Sequence, residues 1–329
     1  MRLALAILTV AFSACSVVSQ NGIQSVSMAP DDDRCVFSYR KGDDSLIAIR
    51  NMNEAASLIV VESNDGTIYE RPVFSNDGQK LYFIAREKPD RSDLFVVGID
   101  GSEMSQITHG QEGAQNIQDL ALSKDGDTIY YINSGYFGHY SPIAASHPHN
   151  MDFFSIRKDG KELERLSYSS SYVIYGLSVS PSGNEIYSRS KILHLSKPRH
   201  FTDFNPSPFI VFSSTYPVST FMDDGKFVLA GAKVEERKPG GFSSSQELKL
   251  GEFSAVYGDG LFLIDTNNGT VREIIHLHSY LDSPALSHDR KRILFVRNDS
   301  VYGGKAGREL WSVNLDGSNL QKIDLGIAE

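Results

Sequence analysis

The chain has 329 residues, 40% hydrophobic and 22% charged, with a formal net charge of −9. With a mean hydropathy of −0.25, these proportions describe an ordinary globular protein with a large core and exclude a disordered chain. A net acidic balance without a clustered basic footprint excludes a surface built to neutralise nucleic-acid phosphates.

Residues 1–20 differ from the rest. Met1 and Arg2 give a short positive end, and "LALAILTVAF" supplies the apolar stretch before Ser13, Ala14 and Cys15. A membrane-spanning helix needs about 20 apolar residues, so this shorter stretch has the layout of a secretory signal. "FSAC" resembles a bacterial lipobox, with Phe12 where that motif carries an aliphatic residue. The resemblance implies cleavage before Cys15, lipidation of Cys15, and outer-membrane sorting because Ser16 follows it. Cys35 is then the remaining cysteine, expected to be a buried, unpaired small hydrophobe.

From residue 21 to 329 one domain is expected, because a single pattern recurs. Its six copies are "MAPDDDRCVFSY" (28), "FSNDGQKLYFIA" (74), "LSKDGDTIYYIN" (122), "VSPSGNEIYSRS" (179), "FMDDGKFVLAGA" (221) and "LSHDRKRILFVR" (286). Start-to-start intervals run from 42 to 65 residues, the range of repeat architectures such as propeller blades. Each copy reads as a strand end, a tight turn and a second strand. Asp77-Gly78, Asp125-Gly126, Gly183, Asp224-Gly225 and Asp289 mark the turns, since glycine takes positive φ freely and Asp or Ser bonds its own backbone. The strand that follows, as in "LYFIA" or "ILFV", is apolar on both faces, which demands cover on both sides.

A second signal follows four copies: "LFVVGIDGSEMSQI" (94), "FFSIRKDGKELERL" (153), "LFLIDTNNGTVREI" (261) and "LWSVNLDGSNLQKI" (310). A strand runs into Asp-Gly or Asn-Gly, a hairpin signal. "ILHLS" and "PFIVF" are both eligible as the third strand of the fourth copy. Four strands in each of six repeats make an all-β, six-bladed β-propeller of four-stranded antiparallel blades, starting near 23, 70, 117, 174, 218 and 282.

"SNDGQKLYFIA", "DLFVVGIDGSEMSQIT" and "ELWSVNLDGSNLQKI" resemble the repeats of the TolB-type, WD40-like propellers of bacterial periplasms. The likeness covers roughly residues 22–326. It implies an exported propeller lacking the α/β domain that precedes the propeller in TolB itself. True WD40 repeats are disfavoured, since the sole tryptophan, Trp311, precedes Ser312. Kelch repeats are disfavoured because Gly240–Gly241 and Gly303–Gly304 fall outside the repeat phase.

Surplus sequence gathers where second strands link to third strands, the face that also carries the links between blades. The segments are 134–151, roughly 234–259, 298–308 and, in the fourth copy, 196–207. Long loops on a rigid scaffold concentrate binding residues, so Tyr136, His139, Tyr140, His147, His149, His200 and Phe204 form the candidate binding face. Aromatic rings there suit sugars or peptides, although packing of the loops themselves also explains them. His139, His147 and His149 offer imidazoles for zinc, copper or nickel, but their spacing matches no closed site, and no metal or other cofactor is expected. Histidine-bound metal makes oligogalacturonate lyases the nearest enzymatic analogy.

No nucleophile elbow, P-loop or dinucleotide fingerprint occurs. The expectation is a non-enzymatic, monomeric binding module in the bacterial envelope. It would recognise an envelope protein or cell-wall-associated partner and touch the membrane only through its lipid. The alternative is a propeller enzyme, a metal-dependent lyase or hydrolase acting on carbohydrate or peptide through the histidines of the third copy.

Overall fold

The computed structural model describes residues 21–327, apart from 111–114, 140–145, 172–175, 189–190, 204–209, 213–217, 224, 235–258, 266, 269, 278 and 300–306. Every regular element among them is a strand. The first four are β1 (Gly22–Met28), β2 (Arg34–Lys41), β3 (Asp44–Asn51) and β4 (Ser57–Glu62). Next come β5 (Ile68–Phe74), β6 (Lys80–Lys88), β7 (Arg91–Gly98) and β8 (Ser105–Gln106). β9 (Asn116–Leu122), β10 (Thr128–His139), β11 (Ser146–Arg157) and β12 (Glu164–Arg165) make a third set. β13 (Ser178–Val179), β14 (Glu185–Ser188), β15 (Lys191–His194) and β16 (His200–Asp203) make a fourth. β17 (Ile210–Phe212), β18 (Val218–Asp223), β19 (Lys226–Val234), β20 (Asp259–Asp265) and β21 (Thr270–Leu277) follow. The last are β22 (Tyr280–Leu286), β23 (Arg292–Asn298), β24 (Arg308–Asn314) and β25 (Gln321–Lys322).

The architecture is a β-propeller of four-stranded antiparallel blades. Six separate sheets are expected, whereas the described strands form five. The reason is one parallel pair, Gly22 with Arg308, which joins β1 to β24 and merges the first four and last four strands into an eight-stranded sheet. Gly22 permits that approach. Its φ is +107°, and a Cβ there would lie 2.9 Å from the Arg308 carbonyl oxygen. The β18–β21 sheet has a fifth strand because β17 pairs with the far end of β19. The Ile210–Phe212 part of "PFIVF" therefore belongs to this sheet, and "ILHLS" supplies the third strand of the preceding one, β15.

The doubly apolar second strands are explained by the packing. On β6, Leu81 and Phe83 face a cluster with Val36, Ile47 and Tyr69. Its alternate residues Tyr82 and Ile84 face Ile117, Ile129 and Tyr131. Each set of strands is sandwiched in this way, and the last such cluster joins Leu294 and Val296 to Val26, Phe37 and Cys35. Cys35 is fully buried. Burying a side chain such as Phe83 contributes about 1.5–3 kcal/mol.

The repeated turn is held by side chains as well as by glycine. After β5, Ser75 Oγ donates to Asp77 Oδ1 at 2.6 Å, and that oxygen also accepts the Gln79 N–H at 3.0 Å. Ser75 Oγ in turn accepts the N–H of Lys80, the first residue of β6, at 2.9 Å. Ser123 with Asp125 and Ser287 with Asp289 repeat the arrangement. These serine hydroxyls hold the Asp77, Asp125 and Asp289 carboxyls below their usual range. In the turn after β13, Ser182 stands in for the aspartate. The fifth position of the copies is left-handed throughout: Asp32 (φ 60°), Gly78 (67°), Gly126 (73°), Gly183 (78°), Gly225 (74°) and Arg290 (60°). Asp32 and Arg290 hold this conformation without being glycine, which is uncommon. Asp224 lies outside the described residues.

Candidate functional site

The segment expected to be a loop over 134–151 is mostly a hairpin. β10 and β11 continue their ladder past the blade through Tyr136 with His149, Gly138 with His147 and His139 with Ser146. Tyr140 lies just beyond, outside the described residues.

At the hairpin tip, Tyr136 stacks on His149 with ring centroids 5.7 Å apart and planes 27° apart. His147 and His149 rings lie 3.9 Å apart. His149 Nε2 is 3.2 Å from the Gly138 carbonyl oxygen. Gly138 leaves room for the tyrosine, since a Cβ there would collide with the Tyr136 hydroxyl. Tyr136 is 52% exposed and His149 only 6%. Burial therefore pulls the His149 imidazole below its ordinary pKa, the proximity of His147 acts the same way, and the Gly138 carbonyl opposes both. The tip is an aromatic platform on which Tyr136 and His139 are exposed.

His200 is elsewhere. Short β14 and β15 leave the stretch after Leu195 as the link from third to fourth strand, so His200 opens β16 at the outer edge of its sheet. That link emerges on the face opposite the hairpin extension, because strands within a blade alternate in direction. His200 stacks on His194 at 4.4 Å, and His194 is 3.1 Å from Glu185. Tyr136, His139, His147 and His149 are thus brought onto one hairpin; His200 is not, and Phe204 lies outside the described residues. Among the described residues no group of three or more His, Cys, Asp or Glu is placed to hold a metal. The segments expected over 234–259 and 298–308 fall largely outside the described residues, as does Cys15.

A second polar constellation lies at the middle of the ring, and the repeat pattern gives no sign of it. First strands pack on first strands: β1 against β5 and β22, β9 against β5 and β13, β18 against β13 and β22. β-Bulges interrupt β5 between Glu70 and Val73 and β22 between Asp282 and Ala285. Bulges re-aim side chains. Within them Arg71 has φ 53° and Ser283 φ 49°. Arg71 Nη1 reaches Ser283 Oγ on β22 at 3.5 Å, while its Nε lies 4.0 Å from Asp119 Oδ1 on β9. A side chain on β5 that meets both β9 and β22 spans the centre.

The surrounding charges are tightly paired. Asp282 accepts from Arg308 Nη2 at 3.0 Å and from the Ser283 N–H at 2.6 Å. Burial would raise the Asp282 carboxyl, but Arg308 and Arg71 outweigh it and hold it low. Arg308 also donates to the carbonyls of Ile23 and Gln24. Asp119 accepts the N–H groups of Leu120, Gly176 and Leu177, each at 3.0 Å. Glu70 accepts from Arg86 at 2.9 Å.

No family model matches the chain, and no curated protein matches it. Solved structures do. TolB from Acinetobacter baumannii superposes with a TM-score of 0.52 at 15% identity, over 90% of this chain and 62% of that one. The chain thus spans less than two thirds of the length of that TolB. The β-propeller domain of the Trilobed protease from Pyrococcus furiosus, described as having an open velcro topology, gives 0.50 at 13% identity over 94% of this chain and 100% of that one. A nidogen/laminin complex gives 0.50 at 9% identity over 79% and 81%. At these identities the likeness is one of fold, and the fold is the β-propeller.

Proposed function

We propose that this chain is an exported, lipid-anchored, TolB-like propeller of six blades that binds an envelope protein or a cell-wall-associated partner without catalysing a reaction. The count of six rests on the six left-handed turn positions and on the circuit of first-strand contacts, with the eight-stranded sheet holding the first and last blades side by side. Export and anchoring rest on the signal-like residues before Cys15.

One observation carries the binding reading. The β10–β11 hairpin rises beyond its blade as a regular ladder and ends in an ordered ring stack whose outer member, Tyr136, is half exposed. Rigid, amphipathic rings give contact area with little entropy to lose, which is why they anchor interfaces. The test is a photo-crosslinking residue at position 136 or 139 in the native envelope, followed by mass spectrometry. A discrete partner crosslinked from these positions, and not from exposed Leu163, supports the proposal. Identical patterns from all three positions defeat it. Cys15→Ala should release the protein into soluble fractions and abolish palmitate labelling; unchanged partitioning removes the anchor.

A further inference from the structure

The central cluster has an uneven hydrogen-bond account. Its carboxylates are occupied: Asp119 by three backbone N–H groups, Asp282 by Arg308 and Ser283, Glu70 by Arg86. Arg308 likewise donates to two carbonyls and a carboxylate. Arg71 is different. A guanidinium has five N–H donors, and among the described residues it makes one hydrogen bond, to a hydroxyl at 3.5 Å, and one ion pair, to a carboxylate oxygen at 4.0 Å, with Asp282, Glu70 and Tyr280 also near it.

The position of Arg71 makes that shortfall matter. The side chain keeps 27% of its exposure, yet it is enclosed by protein from several blades, which describes a group lining a channel. Burial would lower its pKa, but the carboxylates of Asp119, Asp282 and Glu70 outweigh burial and keep it charged. It is the middle residue of β5, midway between the two faces of the propeller. Its left-handed backbone, in a bulge, aims it inward at a conformational cost of about 1–2 kcal/mol. Strain of this kind clusters at binding sites.

The complement of an under-bonded guanidinium fork in an enclosed site is a planar pair of anionic oxygens. We propose that Arg71 is a carboxylate-binding subsite of the central channel, taking the chain-end carboxylate or an acidic side chain of a peptide. The neighbouring acidic residues tune the subsite: Arg308 neutralises Asp282, and three backbone N–H groups solvate Asp119, so both hold Arg71 in place while their oxygens are already occupied. The subsite is independent of the hairpin tip, and either can fail alone.

The test uses the full chain with 15N-labelled arginine, following the Arg71 Nε–H signal assigned through Arg71→Gln. The probes are acetyl-alanyl-alanine with a free carboxylate, the same peptide as its C-terminal amide, acetyl-glutamyl amide, and inorganic phosphate. A saturable shift with the free acid or the glutamyl peptide, and none with the amide, is expected, and the stronger of the two identifies the source of the carboxylate. Arg71→Gln should weaken that binding about tenfold or more, the loss expected for a charge-assisted pair. Arg71→Lys, which keeps charge without the fork, should recover only part. Equal shifts with acid and amide, no shift with either acid, or a response to phosphate alone overturn the proposal. So does unchanged affinity in a folded Arg71→Gln protein. If that variant fails to fold, the comparison of acid with amide on the native chain still decides.

Discussion

The Asp32 carboxylate accepts the backbone N–H of His288 at 2.6 Å, across a sequence separation of 256 residues. It also accepts the Asp289 N–H at 2.8 Å, and Arg292 donates to the Asp32 carbonyl at 2.7 Å. The turn after β1 is thereby tied to the turn after β22. Asp32 fills the left-handed slot that glycine holds in four of the other turns. Asp32→Ala should cost about 1–3 kcal/mol, through lost charge-assisted bonds and retained backbone strain. Asp32→Gly loses the same bonds but relieves the strain, and should be milder by about 1 kcal/mol. Denaturant titration of both variants measures this; wild-type stability in both would remove the seam contact from any structural role.

His149 makes the hairpin tip sensitive to acid. Its folded-state pKa is depressed below 6.5 by burial, so the folded tip favours the neutral ring. The stability this contributes is complete above about pH 6.5, the unfolded value, and is lost as pH falls through the folded pKa. Long-range 1H–15N NMR of the imidazole should place its titration below the ordinary value of 6.5. An equal or higher pKa would contradict the burial of the ring.

Cys35 should be chemically silent. Burial pushes its thiol up to about 12, with Arg50 and Arg292 opposing only weakly. Thiolate is the reactive form, so alkylation at pH 8 should proceed at the rate of unfolding. Mass spectrometry with and without denaturant tests it, and rapid labelling of the native protein would show that the cluster joining the first and last strands is open.

Gly138→Ala should act locally. The added methyl collides with the Tyr136 ring and must displace it from His149, while global stability changes by about 0.5 kcal/mol or less because the tip lies outside the packed sheets. Loss of the Tyr136–His149 nuclear Overhauser contacts is the expected readout. Their survival would mean that the tip repacks without the stack.

The repeat turns were readable from sequence because their chemistry is contained in five or six consecutive residues, Ser75 through Lys80 being one example. The buried faces of β6 were readable because both sides of a strand carry their own pattern. His200 was misplaced for want of one fact, that β14 and β15 are short enough to finish before Lys197. Arg71, Asp119, Asp282 and Arg308 carry no local signal. Arg71, Asp119 and Asp282 are ordinary polar residues in first strands and Arg308 opens a third strand, and Arg71 meets Asp119 and Ser283 only because β5, β9 and β22 come together in the ring.

Among the described residues, apart from the Gly22–Arg308 pair and the short β17 ladder, every ladder joins strands that follow one another in the chain. Among the described residues no blade borrows a strand from the opposite terminus. Each can be completed by locally contiguous hairpins as the polypeptide emerges, the kind of connectivity that forms quickly. The rendezvous of Gly22 with Arg308 and of Asp32 with His288 is then the step that must await nearly the whole polypeptide, and it makes this junction the natural place for the ring to part under force or heat.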